Sequence, residues 1–246
     1  MLLEIQNVGK SFKGIRAVSG ASFDVEEHAI VAMIGPNGAG KTTIFNLVAG
    51  VYAPDQGEIR FHGKRISGLK PEQVCAAGIG RTFQIVKPFA GLSVLDNVIV
   101  GALHRERSVV DARKRARNIL ELLGMAHKAQ QPAAALTLPE RKRLEVARAL
   151  ATRPQLLLLD EVMAGLRPTE VDGMVALFEE LNRSEGTTIL LIEHVMRAVM
   201  ALSRRIVVLH HGEIIARGEP AEVVKDPAVL SCYLGSEAVS GDEVQA

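Results

Sequence analysis

The sequence predicts an α/β fold: a largely parallel sheet covered by helices on both faces, with an antiparallel β-lobe and an inserted helical lobe. Three observations predict it. The runs Leu156 to Leu159 and Thr187 to Ile192 are uniformly apolar and flank a helical stretch around Glu170 to Leu181, as parallel strands buried on both faces require. The opening thirty residues instead break into short alternating segments, the pattern of an antiparallel sheet. From Pro88 to Thr152 the rhythm becomes largely helical.

Taken in order, Leu2 to Val31 reads as edge strands separated by the turn signals Lys13-Gly14 and Ser19-Gly20. The apolar run Ala29 to Ile34 is a strand, and Thr42 to Val48 has a helical rhythm. Between them lies Gly35-Pro36-Asn37-Gly38-Ala39-Gly40-Lys41-Thr42-Thr43, which fills the G-x-x-x-x-G-K-[ST] pattern without a gap. Ile59 to Phe61, after Gln56-Gly57, is a further short strand. Asp111 is placed to cap a helix through Leu123, stopped by Gly124. After Arg153-Pro154 the apolar strands return, and the small, polar residues 241–246 read as a flexible tail.

Composition narrows the function. The chain has 246 residues, 48% of them hydrophobic, enough for a large core. With 29 basic and 28 acidic residues the net charge is +1, which gives no general pull toward nucleic acid. The basic cluster Arg105, Arg107, Arg113, Lys114, Arg115 and Arg117 is interrupted by Glu106 and Asp111 and has no interleaved aromatics, so a solvated helix face is the favoured reading. Cys75 and Cys232 are far apart without metal-type spacing, which fits a reducing, cytoplasmic compartment. No signal peptide is visible, and no apolar run approaches the roughly 18–20 residues a spanning helix needs. Any membrane role is expected to run through a partner.

The glycine loop carries the chemistry. Its glycines let backbone N–H groups turn toward phosphate oxygens, and the following helix adds the positive end of its dipole. Lys41 is expected to reach the β- and γ-phosphates and the Thr42 hydroxyl to ligate Mg²⁺, so the chain is read as binding a nucleoside triphosphate. The leucine run ends in Asp160-Glu161, at the sheet edge where open α/β folds bind ligands. Asp160 can hold Mg²⁺ through water and Glu161 can polarise an attacking water; the alternative is a core strand with a solvated acidic end. His194 follows another such strand and can donate to a γ-phosphate oxygen, although a lone histidine is more often structural. Gln84, closing Arg81-Thr82-Phe83-Gln84, can sense Mg²⁺ or the attacking water. Phe12 is either an adenine-stacking ring or an ordinary core aromatic.

These pieces, in this order, resemble the ATP-binding subunit of ATP-binding-cassette (ABC) transporters over nearly the whole chain, from Leu3 to about Leu234. The stretches Arg81 to Gln84, Gly91 to Val98, Ala164 to Pro168 and Leu191 to Met196 are most similar to the branched-chain amino acid importer branch. The resemblance implies a P-loop NTPase core with an antiparallel β-subdomain and an inserted α-helical subdomain: one domain over 1–240, with the core and β-lobe at 1–84 and 153–240 and the helical lobe at 85–152. It implies a Walker A loop at Gly35–Thr43, an adenine-stacking Phe12, a Q-loop Gln84, a Walker B strand ending at Asp160, a catalytic Glu161 and a switch His194. It also implies ATP and Mg²⁺, with Thr42, Gln84 and Asp160 at the metal. The subunit is then expected at the cytoplasmic face of the membrane, against permease subunits, in a head-to-tail dimer with a second ATP-binding subunit. Rival expectations are a nucleotide-gated clamp with weak hydrolysis and a soluble, non-transport ABC ATPase.

The sequence departs from the family at its signature, Leu-Ser-Gly-Gly-Gln, which contacts ATP held by the opposite subunit. Here the stretch reads Leu136-Thr137-Leu138-Pro139-Glu140. Thr137 keeps a hydroxyl, Pro139 has no N–H to donate, and Glu140 brings a carboxylate toward the phosphate. Thr137 and Glu140 also fit a helix capping box. Arg167 stands where the family usually has Asp or, in this branch, Asn.

Overall fold

In chain order the elements are β1 (Leu3–Phe12), β2 (Ile15–Val25), β3 (Ile30–Ile34), α1 (Lys41–Val48), β4 (Gln56–Phe61), β5 (Lys64–Arg65), α2 (Pro71–Ala77), β6 (Ile79–Arg81), α3 (Val94–Ala102), α4 (Val109–Leu122), α5 (Leu138–Ala151), β7 (Leu156–Asp160), α6 (Pro168–Glu185), β8 (Thr188–Ile192), α7 (Met196–Leu202), β9 (Arg205–His210), β10 (Glu213–Gly218), α8 (Pro220–Val223) and α9 (Pro227–Ser240). This computed structural model describes residues 1–84 and 87–240, with side chains as far as Tyr233. The tail expected at 241–246 lies outside the described residues. Two units divide the chain: Met1–Val74 with the chain from Leu190 onward, and Cys75–Ile189.

The first unit opens with the expected antiparallel sheet, in the order β2-β1-β4-β5. Lys13 and Gly14, at φ 48° and 87°, turn β1 into β2, and Leu3, Ile5, Val8, Ile59 and Phe61 fill the buried face. The signal at Ser19-Gly20 is not a turn. Both residues lie inside β2, and Gly20 (φ +64°) falls where the register jumps from Val8↔Ala21 to Lys10↔Val18, so it serves a bulge. Every residue of β3 is buried. It pairs in parallel with β9, which pairs antiparallel with β10.

The second unit begins with β6, parallel to β7 in the register Ile79↔Leu156 and Arg81↔Leu158. Leu156 to Leu159 are fully buried, as an unbroken leucine run requires. Within the region expected to be helical, α3, α4 and α5 pack through small residues, among them Ala102, Ala112, Ala116, Ala147 and Ala151, all fully buried. Gly101 permits a close approach, since a Cβ there would stand 2.6 Å from the Arg148 carbonyl oxygen.

Two expectations for this unit are corrected. The cap of α4 is Ser108, whose Oγ accepts the Asp111 N–H at 3.1 Å, while Asp111 sits in the first turn. Gly124, at φ +67°, does stop the helix. The basic cluster is only partly a solvated face: Arg115 donates to the carbonyls of Leu150 and Ala151, and Arg105 to those of Thr152, Cys75 and Ala76. Both guanidiniums thus satisfy carbonyls at the ends of α5 and α2 that have no partner within their own helices.

Candidate active site

In the first unit β3 runs into the glycine loop and α1 leaves it. Gly35, Gly38 and Gly40 have φ of 147°, 77° and 104°, values side chains disfavour, and Gly40 is the left-handed N-cap of α1. The loop is pressed against its neighbours: a Cβ on Gly35 would stand 2.0 Å from the Leu209 carbonyl oxygen, and one on Gly40 2.3 Å from that of Ala17. Lys41 is only 6% exposed, and its Nζ donates to the carbonyls of Gly35 (2.7 Å) and Pro36 (2.9 Å), so the ammonium lies along the loop. Ala39 is buried, whereas Asn37, Gly38 and the Thr42 side chain open to solvent and Thr43 is half-buried.

Phe12 ends β1, exposed, edge-on to Tyr52 with centroids 5.0 Å apart. Lys10 lies 5.6 Å from its ring and is ion-paired to Asp55 at 2.7 Å. The core-aromatic alternative is thereby excluded, and Tyr52 joins Phe12 as a second open ring. His194, in the same unit, is exposed in the bend between β8 and α7, directly after buried Glu193.

The second unit holds the two carboxylates. Asp160 is 1% exposed; its Oδ2 accepts from Arg81 Nη2 at 3.1 Å, while its buried Oδ1 has no hydrogen-bond partner among the described residues. Burial pushes this carboxyl above the usual carboxylate range, and Arg81 opposes that push. The Asp160 N–H donates to Thr82 Oγ1, whose hydroxyl donates in turn to the Leu158 carbonyl. Glu161 follows at φ +50°, a left-handed conformation uncommon outside glycine. Its carboxylate accepts from Gln84 Nε2 at 2.6 Å, so two residues singled out separately in the sequence meet.

The stretch at Leu136–Glu140 is built as a helix start. Thr137 caps α5, and the Glu140 carboxylate accepts the Thr137 N–H at 2.9 Å. Lys128 pairs with Glu140 at 2.7 Å and, with the Thr137 N–H, holds its carboxyl down at about 2. Arg141 donates to the carbonyls of Leu136 and Ala134. Leu138 is half exposed where the family has glycine. Arg167 is bonded three ways to the Glu170 carboxylate at the start of α6.

Sequence reasoning missed Arg81 and Lys142. The signal available was a charge set in an apolar context, Ile79-Gly80-Arg81, since a buried charge demands a partner. Lys142 is 5% exposed and donates to the Glu161 carbonyl at 2.9 Å.

A chain that joins such a loop to a strand ending in carboxylates falls in the class of phosphate-loop nucleoside triphosphatases. Comparison with known proteins narrows the class. The ABC transporter family model matches residues 18–164, and that of the branched-chain amino acid ATP-binding cassette transporter matches residues 213–239. The chain belongs to the ABC transporter family, as one of its ATP-binding, ATP-hydrolysing subunits.

It is 39% identical to the high-affinity branched-chain amino acid transport ATP-binding protein BraF of Pseudomonas aeruginosa, and 37% identical to LivG of Escherichia coli, over 95% of this chain and 98% of each relative. A probable LivG of Archaeoglobus fulgidus is 34% identical over 96% of both chains. Among solved structures, a nucleotide-free ATP-binding cassette from an ABC transporter superposes with TM-score 0.87 at 30% identity, covering 94% of this chain and 98% of its own. A dimeric cassette in a post-hydrolysis state, bound to ADP and phosphate, superposes with TM-score 0.82 at 25% identity over 89% and 99%.

Proposed function

We propose that this chain powers the uptake of branched-chain amino acids or related small polar solutes, seated at the cytoplasmic face of the membrane against permease subunits and paired with a second ATP-binding subunit. The observation that carries the reading is the match of residues 213–239 to the branched-chain cassette family, on a chain whose phosphate loop is intact. Among the described residues no helix is long and apolar enough to cross a membrane, so the route for the solute is assigned to the partners.

On this reading the loop Gly35–Thr43 binds the phosphates, with Lys41 as its fixed cation, and Phe12 stacks on the base with Tyr52 beside it. Each residue taken by itself suits Mg²⁺: the Asp160 Oδ1 has no donor among the described residues, and Thr42 is open to solvent at the head of α1. Held by such residues, the ion would neutralise charge on the β- and γ-phosphate oxygens. Gln84 is the further residue assigned to it. Glu161 orients and polarises the attacking water, and His194 donates to a γ-phosphate oxygen. The Gln84–Glu161 hydrogen bond supports a sensor role for Gln84, because whatever draws the amide away removes one hydrogen bond from the carboxylate.

The test is reconstitution. The membrane proteins that co-purify with the full chain are placed in proteoliposomes with ATP inside and a solute-binding protein outside. ATP-dependent leucine accumulation is expected, and its loss when this chain is omitted; purification free of any membrane protein would defeat the importer reading. The altered signature at Leu136–Glu140 favours one other reading, a nucleotide-gated clamp that turns over little ATP. Steady-state turnover of the complex separates the two.

A further inference from the structure

The helix α5 has a buried polar edge that the reading above does not use. Lys142, Glu145 and Arg148 recur every third residue and so lie close to one face of the helix. Lys142 and Glu145 are 5% and 4% exposed, in a class of side chain rarely buried unless paired. Lys142 and Arg148 each reach a loop of the same unit. Lys142 Nζ donates to the Glu161 carbonyl at 2.9 Å. Glu145 is bonded to Arg148 at 2.9 Å. Arg148 donates to the Lys87 carbonyl and lies 4.9 Å from the Phe89 ring centroid. One helix therefore holds the segment that follows Gln84 and the backbone of Glu161.

We propose that Lys142 is a positioning residue for hydrolysis: from the second turn of α5 it fixes the left-handed backbone of Glu161 and so sets where the Glu161 carboxylate stands. A left-handed conformation in a non-glycine residue is unfavourable alone and persists when its surroundings over-determine it. The charge-assisted bond to the Glu161 carbonyl supplies that determination. The Glu161 side chain is held separately by Gln84, so backbone and carboxylate have distinct anchors. Because the Leu136–Glu140 stretch enters the same helix, a change in the seating of α5 is felt at Glu161 through Lys142.

The inference rests on the assignment of Glu161 as the residue that polarises water, and the experiment separates the two. ATPase kinetics, nucleotide affinity and thermal melting are measured for the complex carrying Lys142→Met, Lys142→Gln, Lys142→Arg or Glu161→Gln. Glu161→Gln should lower turnover about 10²–10⁴-fold; wild-type turnover there defeats the assignment itself. Lys142→Met and Lys142→Gln should lower kcat about 10- to 100-fold, the usual scale for a misplaced catalytic group. ATP affinity should stay within about twofold, and Lys142→Arg, which keeps a donor, should recover most of the rate. With Glu161→Gln inactive, three outcomes overturn the role of Lys142: unchanged kcat, parallel loss of kcat and affinity, or unfolding of both Lys142→Met and Lys142→Gln.

Discussion

Two short stretches of this chain are expected to meet phosphate, and they are built in opposite ways. Gly35–Thr43 has three glycines at positive φ and an ammonium laid along the loop by two carbonyls. Leu136–Glu140 has a leucine and a proline at the glycine positions and spends its carboxylate on its own helix cap and on Lys128. In the first stretch Ala39 donates within the loop to the Pro36 carbonyl while Asn37, Gly38 and Thr42 open to solvent; the second uses its polar groups internally. A helix start can be well capped and still receive an anion poorly, because the groups that cap it are those an anion would use. On the proposed reading the chain is equipped for its own nucleotide and poorly equipped for a partner's.

The largest expected effect tests the first half of that contrast. Lys41→Ala removes charge-assisted bonds worth roughly 1.5–3 kcal/mol each, so ATP affinity measured by calorimetry should fall about ten- to hundredfold. In a heterodimer whose partner has an intact signature, the same change here should abolish most turnover, while the partner's equivalent change should do much less. Equal losses would erase the contrast.

A smaller effect addresses the second half. Leu138→Gly with Pro139→Gly and Glu140→Gln returns a backbone donor and removes the carboxylate, while Gln still serves a capping box. The homodimer should then hydrolyse ATP about tenfold faster, as one regained bond to a charged group allows. Brisk wild-type homodimer turnover that the restoration leaves unchanged would refute the asymmetry.

The smallest effect sharpens what Glu140 does instead. Its folded-state value, about 2, lies below the ordinary 4.5, chiefly through Lys128 and then the Thr137 N–H. A depressed carboxyl stabilises the fold above its unfolded value and loses that contribution as pH falls toward the folded one, here between 4.5 and about 2. After solvent screening the contribution is about 1 kcal/mol, or about 2–4 °C in a chain of this size. Glu140→Gln should therefore melt that much lower at neutral pH, with the gap closing below pH 4.5. A gap that does not vary with pH would show that the carboxylate charge contributes nothing.

The backbone of the glycine loop was legible because glycine spacing states backbone conformation directly. The leucine run gave β7 and its acidic end for a similar reason, since burial on both faces leaves only apolar residues. Polar contacts were read less well. In Ser108-x-x-Asp111 both residues serve the start of α4, and sequence alone did not say which was the cap. Arg105 and Arg115 look like surface charge until helix ends distant in the chain supply their carbonyls. Arg81 meets Asp160 across 79 positions, and Lys142 meets Glu161 across 19, separations no local pattern encodes.

The seating of the phosphate loop has a consequence for how this protein can change over generations. Neither Ala17 nor Leu209 touches phosphate by any chemistry of its side chain, yet their carbonyl oxygens lie where Cβ atoms on Gly40 and Gly35 would need to be. The shape of the loop is therefore inherited jointly from β2 and β9 as well as from the motif. Drift that moves either carbonyl by a few tenths of an ångström would reshape the loop with every glycine intact. Conversely, no repacking confined to the loop would readily make room for a side chain at Gly35 or Gly40. Two unremarkable backbone positions thus restrict which lineages of this sequence can keep the nucleotide.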